Sequence, residues 1–255
     1  MTAPRSRTTQ ICTYAGSLLA AFGAAFPAIS HAQSTSFNGT VALSSQLIDR
    51  GIAVTPVTPI VQAEASLNTS SGWSLGLSGS TEARSFGHVT EAIADVSHAW
   101  SLSSNWQMQA GLLYYDYPDN PRAKAFDRTE AGLNWIYRDI LTFGLSAICV
   151  TGNEGDHHPR GAADLNVHWP LAWHFSLSAG AGAAQSLAAS SYYDHYRHEY
   201  VGRATPLYGY GQLGLLWNYG PWRVELDRVA VDPAARSRLD GLAAAPWVAT
   251  VSWSF

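Results

Sequence analysis

Apolar and polar residues alternate with a period of two along most of the chain. Val61, Ala63, Ala65 and Leu67 interleave with Gln62, Glu64 and Ser66. Trp106, Met108, Ala110, Leu112 and Tyr114 interleave with Gln107, Gln109 and Gly111, and Leu141, Phe143, Leu145 and Ala147 with Thr142, Gly144 and Ser146. Successive side chains of an extended strand point to opposite faces, so each segment predicts a strand with one apolar and one polar face. The same pattern predicts strands over 41–47, 73–77, 128–137, 163–169, 173–182, 207–217, 222–227 and 247–255. The stretch 91–100 is less regular. Ala92, Ala94, Val96 and Trp100 oppose Glu91, Asp95 and Ser97, with Ile93 and His98 out of pattern. Twelve strands result, an even number, as a single-chain bacterial membrane barrel requires.

The connections sort into two kinds that alternate strictly. Short ones lie at 68–72, 102–105, 138–140, 170–172 and 218–221; longer ones lie at 49–57, 82–89, 117–125, 151–160, 186–204 and 230–245. Short periplasmic turns and longer extracellular loops are the asymmetry of an up-and-down transmembrane barrel, and a soluble sandwich has no reason to sort its loops this way. Trp73, Trp106, Trp135, Tyr137, Trp169, Trp173, Trp217 and Trp222 all lie beside the short turns. That placement predicts an interfacial girdle, with the ring bodies buried in the membrane boundary and the polar edges wet.

The polar faces carry the candidate chemistry. Glu64, Asp95, Arg128, Glu130 and Asp164 are expected to line the lumen, and so are His168, His174, Arg223, Glu225 and Asp227. Facing a charge toward lipid costs about 2–4 kcal/mol near the midplane, which assigns these residues inward. Glycines at 76, 111, 132, 144, 180, 182 and 214 share that face. The charges are compatible with a selective pore or with an ion-paired plug, and an excess of carboxylates favours cations if a pore is open.

Composition narrows the class. Hydrophobic residues make up 47% of the 255, yet after the first 32 no uninterrupted apolar run of about 18 appears; charge is low at 13%, and the chain has 10 Trp and 12 Tyr. Arg5 and Arg7 precede an apolar stretch over 15–25, and Ser30-His31-Ala32 supplies small residues before Gln33. This predicts a cleaved signal peptide over 1–32 and a mature barrel domain over 33–255. Losing two arginines moves the formal net charge from −4 to about −6, which offers no basic patch for nucleic acid. Cys12 leaves with the signal, so Cys149 has no disulfide partner and reads as a small buried or lipid-facing side chain.

Two loops are rich in histidine, with His157 and His158 in one and Asp194, His195, His198 and Glu199 in the other. They lack the ligand order of a known zinc motif and read as solvated polar loops, so no metal or cofactor is expected. A lipid-modifying enzyme is the sharpest rival. Only His98 reads as a lipid-face histidine, and no serine nucleophile with an orienting group stands opposite it.

The last stretch, with Trp247, Ala249, Val251, Trp253 and Phe255 on one face, resembles the C-terminal signature strand of bacterial outer-membrane barrels. That resemblance implies recognition by the barrel-assembly machinery, with Trp247, Val251, Trp253 and Phe255 as the signal. Arg50-Gly51-Ile52 after an alternating strand, and Ser71-Gly72-Trp73 at the next hairpin, resemble the opening of the Gcw_chp family of proteobacterial exported proteins, over roughly 39–80. The resemblance implies an outer-membrane barrel in contact with lipid and lipopolysaccharide, and brings no catalytic residues. Asp49 stands near where that family carries an aromatic residue, and Ala53-Val54 replaces its Ser-Gln pair. The expected role is a small-solute channel, with a non-conducting structural or partner-binding barrel as the alternative.

Overall fold

In a computed structural model of the protein, residues 35–152, 159–187, 191–194, 199–202, 207–233 and 244–255 are described. Twelve strands close into one antiparallel barrel in chain order. They are β1 (Thr35–Ser44), β2 (Ile60–Thr69), β3 (Trp73–Glu82), β4 (Glu91–Ser101), β5 (Trp106–Asp116), β6 (Arg128–Tyr137), β7 (Leu141–Val150), β8 (Arg160–Pro170), β9 (Phe175–Gln185), β10 (Leu207–Tyr219), β11 (Trp222–Val231) and β12 (Trp247–Ser254). Two small two-stranded ribbons are separate from the wall sheet, Ile48–Asp49 with Ile52–Ala53, and Ser191–Asp194 with Glu199–Gly202. The first 34 residues, which hold the expected signal peptide, lie outside the described residues. So do His157, His158, His195 and His198.

Alternation decides which face each side chain takes. Leu75, Leu77, Leu112, Leu145, Leu165, Leu213 and Leu226 are exposed on the outer surface. A continuous apolar band of this kind belongs against lipid, where leucine is at home and water is absent. Cys149 is exposed too, on the outward parity of β7. Ile93 and His98 fit the alternation after all: Ile93 points inward against an apolar cluster, and His98 points outward between the rings of Trp73 and Trp100, at centroid distances of 4.8 and 4.4 Å. Among the described residues its Nδ1 is buried without a hydrogen-bond partner. Around the short-turn end, Trp106 meets Tyr137 at 5.0 Å, Trp135 stacks on Phe143 at 5.7 Å and Trp217 on Tyr219 at 5.9 Å, which forms the aromatic girdle.

Several strands run longer than the sequence expectation, and two boundaries change where a side chain points. β1 runs Thr35–Ser44, not 41–47, because the wall ends where Ser45 N–H donates to the Ala249 carbonyl and the chain turns into the lumen; Leu47 is therefore buried inside, not lipid-facing. Trp173 and His174 belong to a turn, not to a strand. Both have left-handed φ, 57° and 67°, and Phe175 N–H closes the turn onto the Ala172 carbonyl at 3.2 Å. Two left-handed residues in succession give the twist that suits a two-residue hairpin.

The barrel closes where β1 meets β12, with Val41 opposite Trp253 and Leu43 opposite Val251. Gly39 and Phe255 exchange backbone hydrogen bonds at 2.9 Å in both directions. The Phe255 ring lies over Gly39 so closely that any Cβ there would collide with it. The aromatic ring fills the space that glycine leaves bare and seals the seam. Replacing Gly39 with valine should therefore displace Phe255 and impair barrel assembly, read as a smaller fraction of compact, heat-modifiable protein in the membrane. The same change at Gly132, whose missing Cβ meets nothing within 4 Å, should leave assembly intact.

The lumen as candidate functional site

The lumen divides into a capped half near the long loops and a polar half near the short turns. The cap begins with the chain leaving β1. Residues 46–55 fold into the barrel as a small hairpin, Ile48–Asp49 paired with Ile52–Ala53 around Arg50 and Gly51. Arg50 and Gly51 have φ of 47° and 79°, the two positive values a tight two-residue turn needs. A Cβ on Gly51 would run into Val231 and stand 3.2 Å from Tyr210, so glycine lets the tip reach the far wall. The neck is pinned by Gln46 Nε2 donating to the Thr55 carbonyl at 2.8 Å and by Leu47 N–H donating to Thr55 Oγ1 at 3.0 Å.

Two ion pairs hold the hairpin to β6. The Arg50 guanidinium forks onto Glu130, with Nη1 donating to Oε2 at 3.0 Å and Nη2 to Oε1. It also reaches Ser146 Oγ at 3.3 Å and the Asp164 carboxylate at 3.7 Å. The Arg128 guanidinium grips Asp49, donates to Tyr117 Oη at 3.2 Å and lies 3.7 Å over the Tyr115 ring. Arg128 is 0% exposed and Glu130 2%. Charges this deep are tolerated only when paired and hydrogen-bonded, and the planar guanidinium suits a two-point grip on a carboxylate. Around them Leu47, Ile52 and Val54 of the hairpin segment pack with Tyr115, Tyr117, Phe126, Ile148, Val150 and Tyr208. Tyr115, Ile148, Val150 and Tyr208 sit at the long-loop ends of their strands, and Tyr117 and Phe126 in the loop after β5, so the cap has an apolar core of its own.

Below the cap the wall is built differently. Polar side chains lie flat over glycines of the neighbouring strand: Asp95 over Gly76, Asn134 over Gly144, Asn166 over Gly180, and Asp227 over Gly214. A Cβ at any of these glycines would collide with the polar group lying across it. The side chains therefore line the wall and do not fill the bore. Asp95, Ser97, Gln109, Asn134, Asp164 and Asn166, together with Glu130 at its roof, line a small chamber that is partly open to solvent.

Each sequence-assigned residue can now be placed. Glu64 and Asp95 lie on the inner face, close enough to repel one another. Asp164 accepts from Tyr210 Oη near the cap. Arg223 donates to Glu225 at 2.8 Å, and Ser178 Oγ donates to the same carboxylate at 3.2 Å. His168 is half-buried within electrostatic reach of that pair. Arg128 and Glu130 belong to the cap. His174 is the correction: it is exposed in the short turn after β8, edge-on to Tyr219 at 5.7 Å, because the left-handed turn takes it out of the alternation. The sequence reading did not assign Asp49, Tyr115 or Tyr117 to the lumen. One signal for it was present: Leu112–Tyr115 and Ala147–Val150 are apolar on both faces, which a wall open to water on its inner side would not be.

No protein-family model and no curated protein matches the chain. Among solved structures the fold is similar to that of the KdgM porin, at 8% identity over 86% of this chain and 98% of that one, with a TM-score of 0.51. It is also similar to that of the NanC porin, at 13% identity over 86% and 99%, with a TM-score of 0.50. At these identities the likeness is one of fold, and it agrees with the closed twelve-strand barrel described above.

Removing the Arg128 guanidinium leaves Asp49 buried without its cation. Arg128→Met should destabilise the barrel by about 3–5 kcal/mol. The measurement is the temperature at which the compact band converts on heated detergent gels. Lys124→Met, which removes a half-exposed loop cation held by Asp116 and Asp127 at 2.8 Å, should leave that temperature unchanged. Equal effects from both variants would show that the buried pair has no special weight.

Proposed function

We propose that the protein is an outer-membrane channel for small solutes, of the porin type, with a preference for cations. The observation that carries this reading is the glycine-lined wall. Short polar side chains are laid flat over the glycines of the wall, which is the arrangement of a water path and not of a packed core. The fold likeness to two porins supports it, as does the outer apolar band with its girdle. In this reading the long loops face outward from the cell and the short turns face the periplasm. Lipid and lipopolysaccharide surround the barrel, the assembly machinery inserts it through the β12 signal, and membership of the Gcw_chp family goes with the Arg50-Gly51-Ile52 hairpin. No enzymatic step enters.

The charge preference follows from the lining. Glu64, Asp95 and Asp164 face the polar half partly exposed, while Glu225, paired with Arg223, and Asp227 are buried in the wall. Carboxylates along a narrow water path raise the local concentration of cations and exclude anions. A second reading, a non-conducting barrel, is favoured by the cap, which closes the long-loop end in this conformation.

Planar-bilayer recording under a potassium chloride gradient separates the two. Refolded protein should give discrete current steps whose reversal potential indicates cation over chloride permeation. Glu64→Gln combined with Asp95→Asn should move that potential toward zero without abolishing the steps. A correctly folded barrel that stays silent, and stays silent after residues 46–55 are deleted, would sink the channel reading.

A further inference from the structure

We infer that the 46–55 hairpin is a removable gate, latched by Arg50–Glu130 and Asp49–Arg128, and that opening is the release of this latch. The inference rests on the channel reading and says how such a channel is closed.

The hairpin is attached to the barrel in an unusual way. Its last backbone hydrogen bond to a wall strand is at its root, Ser45 N–H to the Ala249 carbonyl at 2.9 Å. Beyond Ser45, among the described residues, its backbone-to-backbone bonds stay inside the hairpin, with the Ile48–Asp49 and Ile52–Ala53 pairing and Val54 N–H to the Leu47 carbonyl at 2.9 Å; the Val54 carbonyl also accepts from Asn120 Nδ2 of the 117–127 loop at 2.9 Å. It meets the wall through side chains only. It can therefore leave the lumen as a unit without opening the barrel ladder, which in lipid is the interaction that must not break. Its exit is also mechanically defined. Gln46 and Thr55 tie the neck together, and the return to β2 runs through Thr55-Pro56-Val57-Thr58-Pro59, with Val57 exposed. Two prolines stiffen that arm, so the motion is a swing about Ser45 and the return arm and not an unravelling.

The latch sets the balance. Leaving the lumen would expose Leu47, Ile52 and Val54 to water, which favours the closed state. The ion pairs fix one seated position, because the Arg50 fork fits the Glu130 carboxylate and Arg128 is held between Asp49 and the Tyr115 ring. Residues 46–55 carry one acidic and one basic side chain, Asp49 and Arg50, and so no net charge. The transmembrane potential does little work on such a segment, so its release is set by the latch and not by voltage.

The test reads position and current separately. Ala53 is buried in the hairpin, so Ala53→Cys in a Cys149→Ser background should react slowly with a membrane-impermeant maleimide. Adding Arg50→Gln, or in a second variant Glu130→Gln, should raise the labelling rate at least about tenfold and raise the open time of the channel in parallel, at either sign of voltage. Heat-modifiability on gels confirms that each variant is folded. Unchanged labelling in both latch variants, with current through the barrel lacking 46–55, would overturn the latch and leave the channel. Faster labelling with a barrel that is silent even without the hairpin would overturn the channel and, with it, the gate.

Discussion

A strand that crosses lipid has no water to satisfy its backbone, so every N–H and C=O in the wall needs a partner in the next strand. The rest of this structure follows from that requirement. The ladder has to close, which makes β12 pair with β1 and brings Phe255 over Gly39. Closure by twelve strands then fixes a lumen, and a lumen has to be occupied by water or by protein. This chain does both. Its inner face is apolar, apart from the paired Arg128 and Glu130, where residues 46–55 fill the bore and polar where they do not, so the two halves of one strand, such as β5, have different partners inside: Tyr115 meets the cap and Gln109 the chamber.

Charge in the lumen has two different uses. In the cap, Arg50, Arg128, Asp49 and Glu130 are removed from water and pay for each other's desolvation by pairing. In the polar half the carboxylates are spread along the wall, and glycine opposite each of Asp95 and Asp227 gives the side chain room to lie down. The difference is one of packing. A buried pair needs protein on all sides, which the hairpin brings; a lining carboxylate such as Asp95 keeps one side on the chamber, while Asp227 is buried in the wall.

Much of the wall was legible in the sequence because alternation is local. A strand's two faces are decided residue by residue, and the count of twelve, the sorted turns and the inward set from Glu64 to Asp227 all follow from it. The hairpin was not legible in that way. Arg50-Gly51-Ile52 could be seen as a motif, but its ion pairs join residues about 80 apart in sequence, and no periodicity reports such a contact. The turn at 173–174 was missed for a related reason: tryptophan and histidine seldom adopt positive φ, so alternation was carried through a point where the backbone reverses. The apolar inner positions Tyr115, Ile148 and Val150 were the remaining clue. They are too large and too dry for a water-filled wall, and they mark the height at which something else enters the barrel.

The place where the hairpin leaves the wall joins these two problems. It hangs from β1, the strand whose outer edge is completed by β12. Gln46 Oε1 accepts from Ala245 N–H at 2.8 Å, and Ile48 packs with Ala244 and Val248 just before and within that closing strand. Until β12 has docked, Gln46 and Ile48 lack these partners, and the hairpin root has nothing on its second side. Seating the cap and closing the seam are therefore coupled through the same few residues. The final strand of the chain does more than remove two open edges, since it also completes the surface from which the cap is held in the lumen.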